Sequence, residues 1–194
     1  MTTVFLDRDG VINEDRHGGI RSWEQFRFVP GALDAVRRLG DAGHQVVIVT
    51  NQSAIGRGLA TRAAIDNIHS RMLGEMVSRG GRIAGLFMCP HSPQLGCGCR
   101  KPQPGLLFKA RDELGVDLGS SIFIGDHVTD LQAGLAAGCK SVILVLTGRG
   151  LAALRHPILA QAPNLLVASD LAHATRLVAR DPLPMGKIGW LQRK

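Results

Sequence analysis

The chain has 194 residues, of which 45% are hydrophobic and 20% charged, an ordinary globular composition that excludes a fibrous or disordered protein. Its formal charge of +7 invites a nucleic-acid reading, but residues 171–194 hold five basic groups against Asp181 alone, so +4 of the +7 sits in that terminal stretch. With aromatics at 4% and no Tyr, the chain has few platforms on which bases could stack, and nucleic acid is not expected as a partner. The longest strictly apolar run, 142–146, is too short to cross a bilayer. The opening MTTVFLDRDG is acidic rather than basic-then-apolar, so no export leader is expected and a cytoplasmic setting is.

Residues 4–6 read as a buried strand followed by a long irregular loop from 7 to 29. Pro30 and Gly31 open a helix with Leu33, Val36 and Leu39 on one face, closed near Gly43. A strand at 45–49 carries VVIV, too uniformly apolar for a surface strand. Thr61 caps a helix with Ile65, Ile68, Met72 and Met76 on its apolar stripe, stopped by Gly80 and Gly81. Next come a strand at 83–88, a helix at 104–114 ended by Gly115, a strand at 121–124 and a helix at 129–137 ended by Gly138. A strand at 141–146, another at 165–168 and a last helix at 170–178 complete the pattern. This alternation predicts an α/β fold, a Rossmann-like three-layer parallel sheet with helices on both faces. One domain over 1–180 and a basic tail over 181–194 are expected, with no interval long enough to hold a separate cap domain.

In such sheets ligands sit beyond the carboxyl ends of the strands. Asp7-Arg8-Asp9-Gly10 follows the first strand, Thr50-Asn51-Gln52-Ser53 the second, Arg100-Lys101 the third, and Gly125-Asp126 through Asp130 the fourth. Alone, each acid could be a turn former or helix cap; together they read as one catalytic site. Acids crowded at one rim need a cation, and oxygen donors favour Mg²⁺. A carboxylate beside Mg²⁺ can attack phosphorus, a second can protonate the leaving oxygen, and Thr50 and Lys101 would hold the transferring phosphoryl group. Cys89, His91, Cys97 and Cys99 form C-x-H-x₅-C-x-C, a donor set for a closed, structural Zn²⁺ site that would set the register of Arg100 and Lys101. Cys139 reads as a packing residue, and His127 as a solvated loop residue. Arg57 is placed to reach a second phosphate.

The DRDG, VTNQS, RKP and GDHVTD segments, in this order, resemble the haloacid dehalogenase (HAD) superfamily of phosphatases. The resemblance implies Asp7 as nucleophile, Asp9 as general acid and base, and Mg²⁺ held by Asp7, Asp126 and the backbone carbonyl of Asp9. Asp130 would orient Lys101 or a metal-bound water. With the zinc loop, the chain is similar to the branches acting on heptose bisphosphates and on histidinol phosphate. TNQSAIGRG and CRKPQPG favour the heptose branch, which implies an aspartyl-phosphate intermediate and substrate contacts from Arg100, Lys101, the 50–53 turn and the loop with Asp15, His17 and Gly18. A monomer acting on a small sugar bisphosphate is expected, in precursor synthesis for lipopolysaccharide or another surface glycan; histidinol phosphate is the alternative substrate, and a polynucleotide 3′-phosphate or a noncatalytic zinc module are more distant ones.

Overall fold

The computed structural model describes residues 2–162 and 164–179; the expected basic tail lies outside them. The described residues form a parallel sheet in the order β3-β2-β1-β4-β5-β6, with β1 at Thr3–Leu6, β2 at Gln45–Asn51, β3 at Ile83–Cys89, β4 at Ile122–Gly125, β5 at Ser141–Val145 and β6 at Leu165–Ala168. The side-chain period of two explains why both faces are apolar. Val4 and Leu6 face one core with Val46, Ile48, Ile122, Ile124, Ile143 and Val145, whereas Phe5, Val47, Val49, Phe123, Val142 and Leu144 face the other. Helices α1 (Ala32–Asp41), α3 (Arg62–Ser78) and α8 (Leu171–Val178) cover the first face; α4 (Gly105–Leu114) and α5 (Val128–Ala136) cover the second. Short turns of helix lie at α2 (Ser53–Gly56), α6 (Gly150–Ala153) and α7 (Ile158–Gln161).

The chain begins in the middle of the sheet, runs outward through β2 and β3, then returns to lay β4 on the other side of β1. Such a reversal leaves a crevice at the carboxyl ends of β1 and β4, because the two connections diverge from there. One expected boundary shift bears on the site. β2 continues through Thr50 and Asn51, which pair with Met88 and Cys89 of β3, so Thr50 is a strand residue with a fixed direction rather than a loop residue. The long loop after β1 is also firmly packed: Val11, Ile12 and Ile20 are buried, and Trp23 stacks on Phe26 at 4.9 Å while Arg71 of α3 lies over the indole. That apolar content gives the wall of the crevice its own anchor.

Candidate active site

Asp7 leaves β1 with its N–H bonded to the carbonyl of Ile124 at 3.0 Å, which fixes it on the β1/β4 seam. Lys101 reaches the same point from beyond β3. Its Nζ lies 2.7 Å from Asp7 Oδ1 and 2.8 Å from Asp130 Oδ1, and donates to the Val49 carbonyl at 3.0 Å. All three ammonium protons thus have acceptors. Asp126, at the end of β4, accepts the backbone N–H of Arg149 at 2.8 Å. One oxygen from each of Asp7, Asp126 and Asp130 lies within 4.8 Å of the other two. Segments 94 and 119 residues from Asp7 (101 and 126, counted along the chain) therefore meet as expected.

Three buried carboxylates face one buried ammonium. Burial, then the neighbouring acids, pushes Asp7 up to about 7 and Asp126 up to about 8. Burial pulls Lys101 down, but Asp130 and Asp7 more than offset it and leave it raised. The surplus negative charge and the all-oxygen donor set fit a hard divalent cation such as Mg²⁺. Two glycines let the carboxylate of Asp126 into this space. Gly10 has φ +83° and Gly148 φ +54°, and a Cβ on either would fall on that carboxylate. Gly10→Ala should lower kcat at least about a hundredfold, since ligand displacement adds to a left-handed conformation that L residues resist. Phosphate-release assays beside far-ultraviolet circular dichroism would check that the fold survives.

Asp9 is arranged differently. Its carboxylate is not in the cluster: Oδ1 accepts from Arg8 Nη2 at 2.7 Å and Asn13 at 2.9 Å, and Oδ2 from Arg8 Nη2 and Gln52, each at 2.9 Å. This leaves only its backbone carbonyl for a metal. Burial would raise its affinity for a proton, but the Arg8 guanidinium and these donors prevail and hold it below the usual range. Arg8 is wholly buried, and its Nη1 lies 3.0 Å from Nε2 of His69 on α3. A guanidinium can only donate, so Nε2 accepts and the imidazole proton sits on Nδ1.

Burial, then Arg8, pushes His69 down to about 4 from 6.5. Asp9 and Asp66 oppose this weakly, and Arg62 reinforces it. Because the unfolded state takes up the proton first on acidification, the contribution of His69 is intact above pH 6.5 and is lost as pH falls toward 4, by up to about 3 kcal/mol. His69→Gln should flatten the urea midpoint between pH 7 and pH 5 relative to the parent, both measured with saturating Mg²⁺ to keep the carboxylates matched.

The Thr50 hydroxyl is buried and accepts from Gln52 Nε2 at 2.9 Å. The Asn51 side chain is used structurally, donating to the Lys101 carbonyl at 3.1 Å and accepting its N–H at 3.2 Å. Ser53, Arg57, Arg100, Asp15, His17 and Gly18 line a cavity of about 410 Å³ above the acids. Arg100 Nη1 is buried there without a partner. His127 is not a solvated loop residue: half-buried, it caps α5 by accepting the Thr129 N–H, while Asp130 accepts the N–H of His127. That reciprocal pair also orients Asp130 toward Lys101.

Cys89, His91, Cys97 and Cys99 converge beside the Lys101 loop. Their donor atoms lie 3.2–3.6 Å apart in the five contacting pairs, near the ~3.5–3.8 Å edges of a tetrahedron with Zn–S and Zn–N bonds. The donor set fits zinc. Cys139 is buried and apart from it, with its thiol pushed up to about 12 by burial, as a packing residue should be.

Residues absent from the sequence expectation are Arg8, Asn13, His69 and Arg149. Arg149 reaches across the cavity to Asp15 Oδ2 at 2.8 Å, while Thr147 bonds the Gly10 carbonyl at 2.5 Å. Both follow β5, a fifth strand end to which the same rule applies. His69 is four residues after Ile65 and three before Met72, a polar residue on an apolar stripe.

A HAD-hydrolase-like family model matches residues 98–174. The D-glycero-β-D-manno-heptose-1,7-bisphosphate 7-phosphatase of Pseudomonas aeruginosa is 39% identical over 87% of this chain and 93% of its own. The Escherichia coli K12 enzyme of the same name is 37% identical over 95% and 97%. The chain belongs to the HAD phosphatase family. A crystal structure of the D,D-heptose 1,7-bisphosphate phosphatase of Bordetella bronchiseptica with magnesium and phosphate has a TM-score of 0.84 to it, at 39% identity, covering 92% of this chain and 98% of that one. The Burkholderia thailandensis enzyme gives a TM-score of 0.70 at 33% identity, covering 93% and 99%. As a HAD phosphatase the protein is a hydrolase, and the expected fold is borne out.

Proposed function

We propose that the protein removes the 7-phosphate of D-glycero-β-D-manno-heptose 1,7-bisphosphate, in the supply of heptose for surface glycans. The observation that carries this reading is the charge layout of one cavity. Its floor holds Asp7, Asp126 and Lys101, and its lining adds Arg16, Arg57, Arg100 and Arg149. A bisphosphate offers one anion to the floor and another to those guanidiniums. Histidinol phosphate has no second anion for those guanidiniums: it carries an ammonium beside its phosphate ester and an imidazole at the remote end, neither of which pairs with them.

Asp7 attacks phosphorus through a carboxylate oxygen, and the P–O bond to C7 breaks. Asp9 gives its proton to the departing oxygen; a phosphate dianion beside it favours that proton's uptake beforehand. Water then attacks the aspartyl-phosphate, Asp9 takes the proton back, and inorganic phosphate leaves with Asp7 regenerated. Mg²⁺ bound by Asp7, Asp126 and the Asp9 carbonyl would neutralise the acids and the phosphoryl oxygens. Lys101 and Thr50 hold that phosphoryl group, Asp130 holds Lys101, and Arg100 with the 15–18 loop and Ser53 selects the sugar. Residues 1–180 act as one domain without a cap, a monomer in a reducing cytoplasm that keeps the zinc thiolates available.

Phosphate release from both heptose bisphosphate anomers and from histidinol phosphate tests the reading. We expect kcat/KM for the β anomer to exceed that for histidinol phosphate by about a hundredfold or more, the scale of a lost charge-assisted contact in a site built for it. A preference for histidinol phosphate overturns the assignment.

A further inference from the structure

Arg8 heads the fully buried side chains by volume, and along the chain it stands between the two acids proposed to do the chemistry. Both oxygens of Asp9 accept from one of its nitrogens, Nη2, beside Asn13 on Oδ1 and Gln52 on Oδ2. Its Nε is buried with no partner. The other terminal nitrogen, Nη1, has His69 Nε2 at 3.0 Å. A planar guanidinium that grips a carboxylate from one corner can swing about its own long axis, and the grip holds only if another corner is pinned. His69 supplies that pin from α3, whose neighbouring Ile65, Ile68 and Met72 are themselves buried against the sheet. It is well suited because the imidazole is neutral there, with a free acceptor nitrogen aimed at the cation.

We propose that His69 is a positioning residue for Asp9, acting through Arg8 to hold the Asp9 carboxylate where it exchanges a proton with the leaving oxygen. This rests on the reading of Asp9 as general acid and base. In the step concerned, the Asp7 O–P bond forms as the substrate P–O bond breaks, and the Asp9 proton moves to the oxygen that departs. Removing the acceptor at 69 leaves Nη1 as well as Nε unsatisfied, so the guanidinium turns to find other partners and draws the carboxylate it grips away from the position that Asn13 and Gln52 help to set.

A leaving-group comparison separates this role from packing. 4-Nitrophenolate departs from phosphorus without needing a proton, whereas a sugar alkoxide does not. The parameter kcat/KM reports steps through the first irreversible one, here the cleavage that Asp9 assists, and the ratio between two substrates is unaffected by any inactive fraction. We would measure it for the parent, His69→Leu, His69→Gln and Asp9→Asn, on 4-nitrophenyl phosphate and on whichever primary alkyl phosphate the parent hydrolyses fastest. His69→Leu should lower the alkyl value at least about tenfold more than the aryl value, in the direction shown by Asp9→Asn, and His69→Gln, which places an amide oxygen near the lost nitrogen, should restore the ratio to within about threefold. Equal losses on both substrates in His69→Leu, with Asp9→Asn discriminating between them, make His69 a packing residue and overturn the proposal alone. If Asp9→Asn does not discriminate either, Asp9 is not the acid and the underlying reading falls with it.

Discussion

Asp7→Asn should reduce kcat by about ten-thousandfold or more while making the metal-free protein more stable. The first effect follows from the loss of the nucleophile: an amide oxygen keeps the hydrogen bond from Lys101, at 2.7 Å in the parent, but is too weak to displace an alkoxide from phosphorus. The second follows from the crowding. An acid whose folded-state proton affinity is raised to about 7 from an ordinary value of 3.8 binds its proton more tightly in the folded state than in the unfolded one. Stability therefore falls as pH rises between those values, and above pH 7 the ionised side chain is a net cost. Asparagine carries no such charge, so without Mg²⁺ at pH 8 the variant should melt several degrees above the parent. Saturating Mg²⁺ should shrink or reverse the difference, because only the parent gains the full ligand set. Differential scanning calorimetry with and without Mg²⁺, beside a phosphate-release assay, reads both quantities. Residual turnover within about tenfold of the parent would exclude Asp7 as nucleophile, and a lower melting temperature without metal would show that charge crowding is not the dominant strain.

The parts of the site that were legible in the sequence are those in which one rule recurs. Asp7, Thr50 and Asp126 each follow a run too apolar for anything but a buried strand, so parallel order alone sends them to one rim, and Lys101 joins them through the cysteine loop that follows the third strand. The candidate zinc ligands were legible because three thiols and an imidazole within eleven residues have few other uses. Arg8 was hidden by its neighbours: alternation along the chain sends it to the opposite side from Asp7 and Asp9, and nothing local says that a helix more than sixty residues on presents an acceptor to it. Arg149 illustrates a different gap. It pairs with Asp15 over 134 positions, and long-range ion pairs leave no periodic trace. His127 failed as a solvated residue because a histidine at a helix N-terminus can cap through Nδ1, a use that Ser, Thr and Asp usually fill.

With zinc on the Cys/His cluster as proposed, its loss should separate the loop from the site more severely than loss of any one contact within it. Residues 91–100 are half-buried or exposed throughout, so the loop has almost no apolar burial with which to offset the entropy of ordering it. What orders it is convergence of Cys89, His91, Cys97 and Cys99 on one point. The segment leaving that point is Arg100-Lys101, held otherwise by the paired bonds between Asn51 and the Lys101 backbone and by the Lys101 ammonium on Asp7, Asp130 and the Val49 carbonyl. In Cys99→Ser, zinc content should fall from about one equivalent toward zero, the melting temperature should drop about 5–10 °C, and kcat/KM should fall about a hundredfold with Mg²⁺ in excess. Zinc release to a chromogenic chelator, calorimetry and phosphate release measure the three. A zinc-selective chelator that barely binds Mg²⁺ should reproduce the result in the unmutated protein, and added Mg²⁺ should not reverse it. EDTA alone cannot make the distinction, since it takes both ions. Were the zinc-free protein as active and as stable as the parent, the thiols would be ordinary packing residues and the placement of Lys101 would rest on Asn51 and on the contacts of its own ammonium.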